Sequence, residues 1–265
     1  NNLDTNSRLC MSSAVVGHKR SLGTDCVPGC YEDFELADTV LCTGANPAWC
    51  HPILWRRVER RRDDHRFRLV VIDPRRTATT AGAHLHLQLI PGTDVALHFG
   101  LARRLIDTGA IDRAFIAAHT EGFAALEERL AAWPLDRVAA VTGVAADDLA
   151  RAADLLAGER SFVSCWTMGL NQSSSGVEKV QTLINLSLLT GKIGTPGNGP
   201  FSLTGQPNAM GGREFGGLAT LLPGHRDPTN AADRQDLAAL PAALQPVGDQ
   251  LLGYVLLLVG QVHRE

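Results

Sequence analysis

Short apolar runs punctuate the chain at intervals and predict its strands. Residues 39–43, 67–73 and 161–167 are largely apolar, and each run is followed by Gly, Asn, Pro or Asp. Runs of this length with such stops are typical of strands that are buried on both faces. Residues 84–89 alternate His or Gln with Leu, which predicts a further strand with one solvent-exposed face.

Helical patterns lie between these strands. Residues 51–62 carry apolar positions on one side and Arg on the other, and residues 94–107 begin at a Thr93-Asp94 pair typical of helix starts. Residues 111–157 predict three short, Ala-rich helices, and residues 176–189 predict one more. Because strands alternate with helices, we expect an α/β fold built on a doubly wound, mostly parallel sheet.

Shifts in composition predict four regions. Residues 1–37 are rich in Asn, Ser, Gly, Cys and Pro, which favours a loop-rich segment of a second, incomplete domain with one helix at 12–19. Residues 38–197 form the predicted α/β domain. Residues 198–228 are expected to be mostly loop that leads toward the site, and residues 229–265 form a divergent tail.

The predicted topology points to one ligand-binding edge. Ligands of such sheets bind beyond the carboxyl ends of the strands, so the loops at 43–50, 73–77 and 168–172 should converge. Glycine lets a backbone approach a ligand closely, and arginine pairs with phosphate through its guanidinium fork. Gly, Asn, Asp and Arg in these loops therefore suit a nucleotide-like ligand.

Charge and hydropathy narrow the possible partners. The net charge is −3, which gives no indication of nucleic-acid binding. The basic run at 56–62 is interpreted as a solvated helix face, with a polybasic patch as the alternative. Residues 1–6 lack the pattern of a signal peptide, and the apolar residues 251–262 fall short of the roughly 20 that span a bilayer. We therefore expect a cytoplasmic protein with no membrane span.

The six cysteines are scattered rather than arranged as a disulfide framework. Cys26 and Cys30 have a C-x3-C spacing, which is weak evidence for a metal site, and ordinary thiols are the better interpretation. The histidines are equally dispersed. Cys10 is expected just before a helix start, where the positive end of the helix favours a thiolate. A buried free cysteine is the alternative for this position.

Several common catalytic motifs are missing from the sequence. It contains no P-loop, zinc-finger spacing or serine-nucleophile elbow, and Gly44-Ala45-Asn46-Pro47 replaces a GxGxxG fingerprint after the first strand. These absences disfavour a nicotinamide-dependent Rossmann enzyme. A generic flavodoxin-like nucleotide-binding domain remains a further alternative.

Seven motifs occur in order over about residues 1–228. They are the segment 3–15, Cys10-Met11, TGANPAW (43–49), IDPRRT (72–77), PGTD (91–94), MGLNQ (168–172) and GPFSLTGQPNAMGGREFGG (199–217). In this order they resemble the bacterial assimilatory nitrate reductases, which are molybdopterin-guanine-dinucleotide oxidoreductases of the dimethyl-sulfoxide-reductase superfamily.

The resemblance implies three catalytic residues. Cys10 would be the thiolate ligand of molybdenum, and such a soft ligand suits a metal already held by dithiolene sulfurs. Met11 and Arg213 would line the substrate funnel, where Arg213 would orient nitrate by paired hydrogen bonds. A structural ion pair with Glu214 is the alternative role for Arg213.

The resemblance also implies a molybdenum bis-molybdopterin guanine dinucleotide cofactor. Its contacts would come from the strand-end loops and from a guanine-binding loop at PGTD. The implied cofactor-binding residues are Gly44, Ala45, Asn46, Asp73, Arg75, Gly92, Thr93, Asp94, Met168, Gly169 and Gln172.

The implied reaction is reduction of nitrate to nitrite by oxygen-atom transfer. Electrons would come from a ferredoxin, a flavodoxin or an NADH-linked subunit through a 4Fe-4S cluster of the full-length enzyme. The four-Cys cluster motif is absent from these 265 residues, so we expect the chain to be inactive alone. Alternatives are a periplasmic nitrate reductase, a formate dehydrogenase, which commonly has selenocysteine or Cys-His at the metal loop, or a non-catalytic orphan α/β domain.

Overall fold

Five strands form one fully parallel sheet in the computed structural model, which describes residues 6–204, 209, 221–222 and 224–238. The strand order is β3-β2-β1-β4-β5, and every neighbouring pair is parallel. This arrangement confirms the predicted parallel α/β sheet. The strands are β1 (Thr39–Thr43), β2 (Arg68–Ile72), β3 (Leu85–Leu87), β4 (Phe162–Trp166) and β5 (Gly199–Ser202).

Helices connect the strands and precede the first of them. They are α1 (Asn6–Leu22), α2 (Asp33–Leu36), α3 (Pro47–Cys50), α4 (Pro52–Glu59), α5 (Asp94–Asp107), α6 (Arg113–His119), α7 (Phe123–Ala131), α8 (Leu135–Thr142), α9 (Ala146–Asp154), α10 (Met168–Asn171), α11 (Gly176–Leu189) and α12 (Ala231–Ala238), with a 3-10 turn at Ala78–Gly82.

The sheet is buried on both faces because successive side chains of each strand point to opposite sides. Along β1, Leu41 belongs to one apolar cluster, whereas Val40 and Cys42 belong to another. Helices α1, α5, α9 and α11 contribute to the first cluster, and α2 and α4 contribute Phe34 and Trp55 to the second. The two-sided cover confirms the doubly wound architecture.

The order of the strands reverses beside β1. The chain proceeds from β1 through β2 to β3 on one side, then crosses to β4 and β5 on the other. Adjacent connections therefore leave the carboxyl ends of β1 and β4 in opposite directions, which opens a crevice between them. Such a switch point is where ligands of open α/β sheets bind.

The first segment of the chain is more helical than predicted. Helix α1 spans Asn6–Leu22, whereas only residues 12–19 were expected to be helical. Ser12 and Ser13 suggested a helix start, but the Ser12 hydroxyl donates to the carbonyl of Arg8 within the helix and the Ser13 hydroxyl donates to Asn171. Back-bonding of this kind accommodates serine inside a helix. The prediction that Cys10 precedes the helix was wrong, since Cys10 lies inside it.

Other local predictions also need correction. Residues 111–157 form four helices rather than three, separated by Gly122 and Gly143 in left-handed conformations and by Pro134. Residues 199–202 form the edge strand β5, although residues 198–228 were expected to be mostly loop. The predicted loops at 43–50 and 168–172 contain the single-turn helices α3 and α10.

The basic run at 56–62 is largely neutralised by nearby acids. Arg57 lies 3.4 Å from Glu32 and 3.3 Å from Glu35, and Arg61 pairs with Asp64 at 2.8 Å. This pairing favours the interpretation as a solvated helix face. None of the helices in the described ranges is long and apolar enough to cross a membrane. The apolar run at 251–262 lies outside the described residues.

Candidate functional site

The carboxyl ends of β1 and β4 meet through two glycines. The Gly169 amide donates to the Gly44 carbonyl at 3.0 Å, and the Thr167 hydroxyl donates to the same carbonyl at 3.1 Å. A Cβ atom on Gly169 would lie 2.5 Å from the Gly44 oxygen, and Gly44 has a φ of +56°. Only glycine satisfies both the close approach and the positive φ without strain.

The β2 end joins the same edge. The Gly44 amide donates to the Ile72 carbonyl at 2.9 Å, which fixes the loop after β1 against β2. Asp73 is buried, and its Oδ1 accepts from the Arg75 amide at 2.8 Å, which shapes the turn. Arg75 itself is exposed. The predicted convergence of the loops at 43–50, 73–77 and 168–172 is therefore confirmed.

Asn46 and Ala45 support the loop after β1 from within. Asn46 Oδ1 accepts from the Thr79 hydroxyl at 2.8 Å and from the Thr79 amide at 3.3 Å. Ala45 is 3% exposed and packs in the apolar cluster beside β1. Both residues therefore hold the loop in shape, and half-buried Asn46 keeps its amide NH2 available for a ligand.

The PGTD loop follows β3 and begins α5. Gly92 is exposed with a φ of +90°, and the Thr93 hydroxyl donates to the Ile90 carbonyl at 2.7 Å. The Asp94 carboxylate turns inward and lies 2.7 Å from the Lys179 ammonium of α11. Both side chains are almost fully buried, so Asp94 anchors the loop to α11.

A buried histidine continues this polar cluster. His98 Nδ1 lies 2.9 Å from the Thr182 hydroxyl, and the imidazole is fully buried. Burial lowers the pKa of His98 to about 4, and the ammonium of Lys179 acts in the same direction, while the carboxylate of Asp94 opposes the shift. His98 is therefore neutral near pH 7.

Cys10 and Met11 occupy the buried face of α1. Cys10 is 2% exposed and Met11 is 1% exposed. Burial raises the pKa of the Cys10 thiol, and the nearby Thr204 hydroxyl partly offsets this rise. The positive end of the helix was expected to lower the pKa of Cys10. Burial dominates instead, because Cys10 lies a full turn into α1. The unmetallated side chain is thus a neutral thiol near pH 7.

Asn171 connects this helix to the strand-end edge. Its Nδ2 donates to Met11 Sδ at 3.7 Å, and its Oδ1 accepts from Trp166 Nε1 at 3.1 Å. Its carbonyl accepts from the Ser13 hydroxyl at 2.7 Å. The segment that carries Cys10 is consequently tied to the carboxyl end of β4.

The predicted residues differ in how accessible they are. Gly169 and Gln172 are exposed beside half-buried Met168, whereas the side chains of Asp73 and Asp94 are buried. Arg213 lies outside the described residues, as does most of the 205–214 segment. Sequence reasoning missed Lys179 and Asn171. The MGLNQ motif contained Asn171, but its partners lie on α1, far away in the sequence.

Metal-binding clusters offer a further check on the site. No group of three or more His, Cys, Asp or Glu residues within the described ranges could hold a metal ion. Cys26 and Cys30 are exposed. Any metal at Cys10 would therefore need most of its ligands from another source.

Comparison with known proteins identifies relatives over most of the chain. The chain is 47% identical over 241 residues to a nitrate reductase of Synechocystis, which covers 91% of this chain and 34% of that protein. It is 50% identical to a nitrate reductase of Klebsiella oxytoca over 84% of this chain and 25% of that protein. An assimilatory nitrate reductase of Haloferax mediterranei is 42% identical over 85% of this chain and 31% of that protein.

A solved structure supports the same relationship. Acetylene hydratase from Pelobacter acetylenicus superimposes with a TM-score of 0.61 and 26% identity, over 69% of this chain and 25% of that one. The chain spans about a quarter to a third of the length of these relatives. The profile of the molybdopterin oxidoreductase family matches residues 1–249. The chain therefore belongs to the molybdopterin oxidoreductase family.

Proposed function

We propose that the chain is part of an assimilatory nitrate reductase and contributes the metal-ligating cysteine and one side of the cofactor site. The observation that carries this proposal is the docking of the Cys10–Met11 segment, through Asn171, onto the glycine-lined edge between β1 and β4. The names of the nitrate reductase relatives support nitrate as the substrate. The product that we propose is nitrite.

The residues present fit a bis-molybdopterin guanine dinucleotide. Backbone approach at Gly44 and Gly169 and the exposed Arg75 suit a large anionic ligand at this edge. Cys10 offers one soft sulfur with no cluster of further ligands among the described residues, which suits a metal bound mainly by the sulfurs of its own cofactor. When bound, the molybdenum centre supplies the two-electron redox and oxygen-transfer chemistry.

Each residue then has a distinct proposed task. Cys10 ligates the metal, and binding requires loss of the thiol proton that the buried site retains without metal. Arg75 pairs with phosphate, and the exposed Gly92–Thr93 backbone meets the guanine. Asp94 shapes this loop through Lys179 rather than offering a free carboxylate.

The remaining proposed contacts concern the pterin and the substrate. Asn46, through its free amide NH2, Met168, Gly169 and Gln172 line the pterin side of the edge. Ala45 and Asp73 act by shaping the two loops after β1 and β2. Met11 and Arg213 line the substrate funnel, where Arg213 orients nitrate.

The whole protein would receive electrons from a ferredoxin, a flavodoxin or an NADH-linked subunit through a 4Fe-4S cluster. The assimilatory name of the Haloferax mediterranei relative supports a role in nitrate assimilation. The location that we propose is the cytoplasm. Because the chain spans only part of such proteins, we propose that it does not reduce nitrate alone.

A genetic experiment tests the proposed function. Deleting the coding sequence from its host should abolish growth on nitrate as sole nitrogen source and leave growth on ammonium unchanged. The whole wild-type gene that encodes the chain should restore growth on nitrate, and the same gene with Cys10→Ala should not. Unaffected growth of the deletion strain on nitrate would rule out the assimilatory role, provided that no second nitrate reductase is present. Normal turnover of nitrate by the isolated chain with reduced methyl viologen would contradict the proposal that the chain does not reduce nitrate alone.

A further inference from the structure

We propose that Asn171 is the positioning residue that holds the Cys10–Met11 segment of α1 against the ligand-binding edge. The role is assigned by the hydrogen bonds and burial of Asn171. Its consequence for the metal rests on the proposed function, because only there does Cys10 act as a ligand.

All polar groups of Asn171 have partners on different elements. Oδ1 accepts from Trp166 Nε1 on β4 at 3.1 Å, and Nδ2 donates to Met11 Sδ at 3.7 Å. The backbone carbonyl accepts from the Ser13 hydroxyl at 2.7 Å, and the backbone amide donates to the Thr167 carbonyl at 3.2 Å. One residue therefore links the end of β4 to two positions, Met11 and Ser13, within one turn of α1.

Burial makes these links costly to lose. Asn171 is 4% exposed, and both side-chain bonds are fully buried. Removing the carboxamide leaves Trp166 Nε1 without an acceptor in an apolar setting, and an unpaired buried donor costs more than the bond itself contributed. The Trp166 ring also packs on His18 of α1, with 5.5 Å between ring centroids. A shift of Trp166 would therefore disturb α1 through His18 as well as through Asn171.

The packing around Asn171 leaves α1 little freedom to compensate. A Cβ atom on Gly17 of α1 would lie 2.5 Å from Val180 of α11, and one on Gly176 would overlap the Ser13 hydroxyl. Helices α1 and α11 are therefore in close contact next to Asn171. Asn171 sets which residues of α1 face the edge, because it bonds the side chain of Met11, next to Cys10.

Thiol protection measures this positioning without a cofactor. We would alkylate the folded full chain with iodoacetamide and follow each cysteine by peptide mass spectrometry. Cys10, Cys42 and Cys165 are buried, whereas Cys26, Cys30 and Cys50 are exposed. Cys42 reports global unfolding from the centre of the sheet, so the ratio of the Cys10 rate to the Cys42 rate isolates local movement of α1.

The decisive variant is Asn171→Leu, with Asn198→Leu as the matched control. Asn198 Oδ1 accepts from the Phe162 amide at 2.9 Å at the opposite end of β4. We expect Asn171→Leu to raise the Cys10-to-Cys42 ratio at least about tenfold, which corresponds to about 1.4 kcal/mol of lost local protection. Asn198→Leu should leave that ratio unchanged.

Ser13→Ala provides a milder variant if Asn171→Leu does not fold. It removes only the bond to the Asn171 carbonyl, and it should raise the ratio about threefold. An unchanged ratio in the folded variants, or an equal rise in the Asn198→Leu control, would overturn the proposal. These outcomes do not depend on metal binding. An unchanged number of sulfur ligands at molybdenum in the Cys10→Ala form of the whole enzyme would refute the metal role of Cys10, and the protection pattern of the Asn171 variants would still support the role of Asn171.

Discussion

The Gly169 amide donates to the Gly44 carbonyl at 3.0 Å and joins the ends of two parallel strands at the point where the strand order reverses. Strands β1 and β4 are in register up to Thr43 and Trp166. Gly44 directly follows β1, and Gly169 lies three residues after the end of β4. The contact therefore closes the base of the crevice in which the cofactor is proposed to bind.

Replacing Gly169 by alanine should open this contact. The new Cβ would meet the Gly44 carbonyl at 2.5 Å, and backbone cannot give way as a flexible side chain can. We expect Gly169→Ala to lower the free energy of unfolding by about 1–3 kcal/mol, as overpacking does. Urea unfolding measures the change.

Gly158→Ala is the control for this substitution. Gly158 has a φ of +62° and no atom within 4 Å of its ideal Cβ, so its cost is backbone strain alone. We expect a cost of about 1 kcal/mol there. A smaller loss for Gly169→Ala than for Gly158→Ala would contradict the steric account.

Lys179→Met should be strongly destabilising. It leaves the buried Asp94 carboxylate without its partner at 2.7 Å, and breaking a buried ion pair typically costs about 3–5 kcal/mol. Adding Asp94→Asn should restore part of the loss. The exposed pair of Arg103 and Asp107, also at 2.7 Å, is the control, and Arg103→Met should cost less than about 1 kcal/mol. An equal loss of the free energy of unfolding in Lys179→Met and Arg103→Met, measured by chemical denaturation, would contradict the role of the buried ion pair.

The burial of His98 should make the folded chain less stable in mild acid. Burial lowers its pKa to about 4, against about 6.5 in an unfolded chain. Between these values the unfolded chain binds a proton that the folded chain does not, so the free energy of unfolding falls as pH falls through this window. From pH 7 to pH 5 the His98 contribution should fall by about 2 kcal/mol.

His98→Gln should remove this part of the pH dependence, measured by urea unfolding at both pH values. His65→Gln, at a position whose side chain is 93% exposed, should leave the dependence as in the wild type. If the free energy of unfolding changes equally with pH in the His98→Gln and His65→Gln chains, His98 is not the source of the pH dependence.

The sheet and its binding edge could be predicted from sequence because both depend on local patterns. Apolar runs that stop at Gly44 or Asp73 mark where each strand ends, and parallel pairing brings those ends together. The glycines also marked where backbone would approach closely, as it does at Gly169.

Contacts between distant parts of the chain could not be predicted in this way. Ser13 and Asn171 are 158 residues apart, so the extent of α1 depended on a partner that the local sequence does not reveal. The inward turn of Asp94 depends similarly on Lys179 of α11. Both cases involve buried polar groups, whose partners are set by packing rather than by periodicity.

Molybdenum X-ray absorption on the whole enzyme, produced in a host that makes the cofactor, tests the central claim most directly. For the whole enzyme that contains this chain, we predict one fewer sulfur ligand at the metal in Cys10→Ala than in the wild type. The same sulfur count in Cys10→Ala and in the wild type would contradict the assignment of Cys10 as the metal ligand.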